Sequence, residues 1–129
     1  MANQHGYAVI QTDVPGLWTI NGYVPVGATG APNFAGVPSG VVSSITRTGV
    51  GAYTLTLAQP WYACLFVAIH SEIPTPLTPA IVSVQIQNNT IGTSATPTIT
   101  IQFHVSTVAT ELPSGSGFRF QLMLKQSSA

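Results

Sequence analysis

From Gly40 to Leu57 the chain reads Gly-Val-Val-Ser-Ser-Ile-Thr-Arg-Thr-Gly-Val-Gly-Ala-Tyr-Thr-Leu-Thr-Leu, and two runs within it alternate. Val41, Ile45, Tyr53, Leu55 and Leu57 occupy odd positions, and Ser44, Thr46, Thr54 and Thr56 occupy even ones. A period of two is that of strands with one face buried and one wet. Thr48-Gly49-Val50-Gly51 interrupts the pattern, so the stretch is a hairpin. If Ile45 is to face Tyr53 and Ser43 to face Leu55, the loop holds an odd number of residues, three or five, because a slip by one would set each apolar row against the threonines. One of its glycines then takes a positive φ.

Downstream, the same alternation recurs. Gln59-Pro60-Trp61-Tyr62 turns the chain into Ala63 to His70, an apolar run bounded by breakers, which suits a strand buried on both faces or wedged between sheets. Three prolines between Ser71 and Pro79 favour an extended polyproline connection. Ile81 to Gln87 follows, with Val82, Val84 and Ile86 on one face, and Asn88 to Pro97 is a polar loop. Thr98 to Val105 sets Ile99, Ile101, Phe103 and Val105 against Thr98, Thr100, Gln102 and His104. The last strand, Phe118 to Lys125, points Phe118, Phe120, Leu122 and Leu124 inward, and residues 127–129 fray.

Upstream the pattern is weaker. Two short strands, Tyr7 to Thr12 and Leu17 to Tyr23, flank a Pro15-Gly16 turn. Gly27 to Gly40 carries glycines and prolines at a density that defeats both helix and central strand. Residues 1–39 therefore read as an N-terminal arm and loop, possessing short strands at most, ahead of a β-sandwich core over 40–126. No window of a dozen residues has helical spacing free of Pro or Gly. The expected fold is all-β, an antiparallel sandwich of jelly-roll type.

Composition narrows the function. The chain has 129 residues, 45% of them hydrophobic, enough for one domain with a real core. Only 5% are charged, against about 25% in ordinary soluble chains, and the formal net charge is zero. Such a surface offers little repulsion between copies, which favours life in an assembly. The longest apolar run is strand-sized, so no membrane-spanning helix is expected. The first residues show neither a basic nor an apolar leader region, and synthesis in a cytosol is expected. Three basic residues, Arg47, Arg119 and Lys125, make no phosphate-binding patch, so nucleic acid is not an expected partner.

Catalysis is not expected either. His70-Ser71-Glu72 has half of a zinc-deaminase signature but lacks the Pro-Cys-x-x-Cys pair, and Cys64 is the only cysteine. It reads as a small buried thiol. The spacing of His5, His70 and His104 gives no support for a metal site, and no cofactor is expected. Asn88-Asn89-Thr90 is formally a glycosylation acceptor but reads as a turn built on side-chain amides.

The aromatics carry more. Tyr53, Phe66, Phe103, Phe118 and Phe120 alternate with the strands and read as core. Tyr7, Trp18, Tyr23, Phe34, Trp61 and Tyr62 lie near turns or in the breaker-rich first third, where large rings either anchor interfaces or cap the ends of a core. Phe34 has no local core to join and leans toward a partner surface.

The run Gly-x-Val-x-Ser-Ile-Thr-Arg-Thr-Gly-x-Gly-x-Tyr-Thr-x-Thr-Leu within residues 40–57, with the alternating strands and aromatic-rich closing strand behind it, resembles small structural proteins of tailed bacteriophages, above all capsid decoration, or cement, proteins built on a β-sandwich. Beyond residue 57 the likeness is one of layout. It implies a homotrimer on the outer capsid surface, contacting the major capsid protein. The alternative expectation is a carbohydrate-binding receptor module of a phage tail or fibre.

Overall fold

The computed structural model describes residues 16–34, 40–74 and 83–126. Eight strands follow in chain order: β1 (Leu17–Pro25), β2 (Val42–Gly49), β3 (Ala52–Leu57), β4 (Ala63–Glu72), β5 (Ser83–Asn89), β6 (Thr98–Val105), β7 (Val108–Ala109) and β8 (Gly117–Lys125). The only helical piece among the described residues is a 3-10 turn, Ala28–Gly30. One sheet has the order β1-β8-β4, and the other has β2-β3-β6-β5 with β7 appended to β6. Every pairing is antiparallel. This is the expected all-β sandwich. No helix among the described residues is long and apolar enough to cross a membrane.

The period of two puts the apolar side chains between the sheets. Ile20 and Val24 from β1 and Phe118, Phe120, Leu122 and Leu124 from β8 meet Val42, Ile45, Tyr53, Leu55, Leu57, Ile99, Ile101 and Phe103 in one buried cluster. Its centre is aromatic: the Tyr53 and Phe118 rings lie 5.1 Å apart, and Phe103 and Phe118 5.4 Å. Each such ring, removed from water, contributes about 2–3 kcal/mol, the term that offsets chain entropy. Gly22 is part of this packing, since a Cβ there would meet the Phe120 ring at 2.4 Å.

The outer face of the larger sheet shows how a chain so poor in charge stays wet. Thr46, Thr54 and Thr100 stand in one row across three strands, and Ser44, Thr56 and Thr98 in the next. Thr54 and Thr100 hydroxyls are 3.1 Å apart, and Gln87 donates to Gln102 at 2.8 Å. Hydroxyls and amides thus replace ions as the hydrated groups.

The hairpin forms in a different register from the expected one. Ile45 faces Leu55 and Arg47 faces Tyr53, and Val50 and Gly51 lie between the closing pair, Gly49 and Ala52. Parity fixes which face a residue takes, and a shift by two keeps every face, so the periodicity had no means of choosing between these registers. Gly51 has the positive φ, +63°. An irregularity between Val42 and Ser44 brings Val42, rather than Val41, fully inside.

Two further expectations are corrected. β4 is not buried on both faces: it is an edge strand, and Leu65 and Phe66 are about half exposed. Phe66 consequently leaves the core. β1, placed by sequence within the leading arm, is a full member of the smaller sheet, paired along its whole length with β8. Val105 and Ile86 are also not buried, because each lies toward the rim of its sheet. The expected strand Tyr7 to Thr12, Val82, Pro76, Pro79 and the tail 127–129 lie outside the described residues.

Candidate interaction surface

Because Phe118, Phe120, Leu122 and Leu124 face the core, the intervening residues of β8 and their partners form the outer face of the smaller sheet. Register sets three adjacent rows across β1, β8 and β4: Thr19, Met123 and Phe66; Asn21, Gln121 and Ala68; Tyr23, Arg119 and His70. The small Ala68 between Phe66 and His70 helps leave a concavity of about 520 Å³, lined by Asn21, Tyr23, Ala68, His70, Arg119 and Gln121.

Arg119 organises this face. Its guanidinium carbon lies 4.5 Å from the centre of the Tyr23 ring, a cation–π contact. Its Nε and Nη2 donate to the two carboxylate oxygens of Glu72, and that guanidinium holds the Glu72 carboxyl below the usual range. The Tyr23 phenol reaches over Gly117, where a Cβ would sit 2.7 Å from its oxygen. With Glu72 committed to Arg119, the concavity offers amides, one ring and an imidazole. That set recognises hydroxyls and polar groups and contains no free carboxylate for acid–base work. His104 lies on the outer face of the other sheet, so His70 and His104 cannot share an ion; His5 lies outside the described residues. No group of three metal-binding side chains occurs among the described residues.

Large apolar side chains are exposed at both edges of the same sheet. Trp18, Tyr62, Leu65 and Phe66 are 51%, 54%, 55% and 49% exposed. All four lie toward the Lys125 end of β8, but on opposite edges: Trp18, on β1, pairs with Leu124, whereas the Tyr62 amide donates to the Lys125 carbonyl at 2.8 Å and Phe66, on β4, pairs with Met123. A bulge between Cys64 and Phe66 leaves Leu65 without a partner on β8. Behind them stands Trp61, 4% exposed and edge-on to Trp18 with ring centres 6.4 Å apart. Its buried Nε1 has no hydrogen-bond partner among the described residues. Burial pushes the neighbouring Cys64 thiol up, and its Sγ reaches the Phe66 carbonyl at 3.5 Å.

Of the six aromatics singled out from sequence, Trp18 and Tyr62 are exposed, toward the β1 and β4 edges of the smaller sheet respectively. Tyr23 lies farther along the same sheet, half-buried beneath Arg119. Trp61 is in the core, and Phe34, partly buried, packs against that core. Phe34 finds a core because the turn Ala28–Gly30 and the bridge between Val26 and Pro32 fold its segment back onto the sandwich. Tyr7 lies outside the described residues. Sequence reasoning missed Leu65 and Phe66, whose apolar run looks the same in a buried strand and at an edge. It also missed Arg119, whose only signal was being one of three cations. Asn89 does form the expected amide turn, accepting the Ile91 N–H at 3.0 Å. Compared with protein-family models, with curated proteins and with solved structures, the chain matches none.

Proposed function

We propose that this chain is a structural protein of a virion, a capsid decoration subunit that binds the major capsid protein and further copies of itself and performs no chemistry. The observation that carries the reading is the exposure of Tyr62, Leu65 and Phe66 along the β4 edge of the smaller sheet, and of Trp18 at its β1 edge, on an exterior with almost no charge. Exposed apolar patches of this kind mark interaction sites, and contacts made by them desolvate few ions. The charged pairs Arg47–Glu111 and Arg119–Glu72 are satisfied within the chain, leaving little to attract nucleic acid. Its place is the outer capsid surface, reached after synthesis in the host cytoplasm, and the resemblance over residues 40–57 supplies the capsid as partner.

The test is light scattering with co-sedimentation on phage capsids lacking decoration. Self-association at micromolar concentration and saturable capsid binding, both little changed by salt, are expected. A stable monomer that ignores every capsid lattice removes the reading.

The concavity beside Tyr23 favours a second reading, a saccharide-binding module, because the Asn21 and Gln121 amides sit side by side next to a ring. A glycan array with no signal above background retires it.

A further inference from the structure

We infer that the concavity on the outer face of the smaller sheet is a subsite for an acidic sugar, whose carboxylate lies against Arg119 and whose hydroxyls meet Asn21 and Gln121. The inference deepens the saccharide reading, rests on it, and names the class of sugar. The balance of donors and acceptors decides that class. Arg119 lines the hollow, and no carboxylate of the described residues does. The donors are the guanidinium, two side-chain NH2 groups and an imidazole N–H, set against two amide oxygens and one phenol oxygen. A neutral sugar presents hydroxyls that donate as well as accept, and such a lining leaves many of those O–H groups short of a partner. A carboxylate only accepts, so it suits the excess of donors.

Arg119 is already held in place. Its guanidinium carbon lies 4.5 Å from the centre of the Tyr23 ring, and its Nε and Nη2 donate to Glu72. Nη1, with two N–H groups, is left without a partner among the described residues. A guanidinium fixed between a ring and a carboxylate loses little freedom when a ligand arrives, which removes one of the main costs of binding. Because Glu72 offsets its charge at a distance, recognition depends on short hydrogen bonds rather than on long-range attraction.

Register supplies the rest. Asn21 and Gln121 are directly opposed in one row, and Arg119 stands between Tyr23 and His70 in the next. Ala68, opposite Gln121, leaves room above the first row. The volume of about 520 Å³ falls within the roughly 300–1,000 Å³ of small-ligand sites.

Calorimetric titration of the whole chain with matched sugars tests this: oligogalacturonate and sialyllactose, each as the free acid and as its methyl ester. The acids are expected to bind at least about ten-fold more tightly than the esters, and Arg119→Gln is expected to erase that difference. Asn21→Ala leaves the Arg119–Glu72 pair intact and is expected to weaken acid and ester alike. Lys125→Gln removes a cation from the same strand roughly 20 Å away, beyond the screening length, and is expected to change affinity less than about two-fold. Unchanged circular dichroism spectra show that the variants fold. Esters that bind as tightly as the acids overturn the acidic sugar and leave the saccharide reading standing. Acid binding that survives both Arg119→Gln and Asn21→Ala overturns the site. Silence from these probes overturns the inference, and silence across the wider glycan array removes the saccharide reading with it.

Discussion

The Tyr53 hydroxyl donates a buried hydrogen bond of 2.8 Å to the Gly30 carbonyl, tying the start of β3 to the turn that follows β1. One phenol therefore fastens the larger sheet to the segment leaving the smaller one. Burial, reinforced by the nearby Glu111 carboxylate, pushes this phenol up to about 12.

Tyr53 should make stability fall on the alkaline side. A phenol raised above its unfolded value, near 10, contributes fully below that pH and loses its contribution as pH climbs from about 10 toward 12. Urea unfolding at pH 8 and pH 11 measures this. Tyr53→Phe should cost about 1–2 kcal/mol at pH 8, because Gly30 loses its donor, and should flatten the alkaline decline.

Glu111 should govern part of the acid side. Its carboxylate pairs with Arg47 and accepts the Gly51 N–H at 2.8 Å. The guanidinium, with that amide helping, holds the carboxyl below its usual range. A depressed carboxyl contributes above its unfolded pKa, near 4.3, and loses that contribution as pH falls through the lower folded value. Glu111→Ala should cost about 1 kcal/mol at neutral pH, with a smaller loss for Glu111→Gln, which still accepts from Gly51. Denaturation midpoints from pH 7 down to pH 3 measure both.

Gly51→Ala should be among the most damaging single changes. The position has φ +63°, and its Cβ would lie 2.2 Å from the Thr110 carbonyl oxygen, a backbone atom with nowhere to go. A loss of about 2–4 kcal/mol and a melting point lower by roughly 10 °C are expected. Gly115→Ala separates strain from collision. That residue has φ +89° but open space around its Cβ, so only about 1 kcal/mol should be lost.

Trp61 should tolerate loss of its nitrogen better than loss of its bulk. Trp61→Ala removes a buried ring and should cost about 3–5 kcal/mol. Trp61→Phe keeps most of the packing and deletes the unpartnered Nε1, so the two effects offset and the result should lie within about 1 kcal/mol of the parent. Thermal melts of the two variants decide it.

Much of the architecture was legible because alternation is a strong signal wherever one face is wet. Thr98–Val105 and the Phe118–Lys125 run could be read residue by residue up to their rims. Ala63–His70 could not, since apolar side chains on both faces look alike at the centre of a sheet and at its margin. Arg47 opposite Tyr53, rather than Ile45, shows the complementary gap: pattern decides inside from outside but leaves register to the turn and its irregularities. The surface candidates divided along the same line. Trp18 and Tyr62 stayed outside, whereas Trp61 and Phe34 were taken in by partners distant in sequence, Leu124's neighbourhood and the refolded turn, which no local window contains.

β8 holds β1 on one side and β4 on the other, yet it is made after every other described strand. During synthesis β1 and β4 must wait unpaired while the four principal strands of the opposite sheet are already available to one another. The smaller sheet is therefore assembled only once β8 has been made, and a chain cut short before residue 117 would lack the strand that joins β1 to β4.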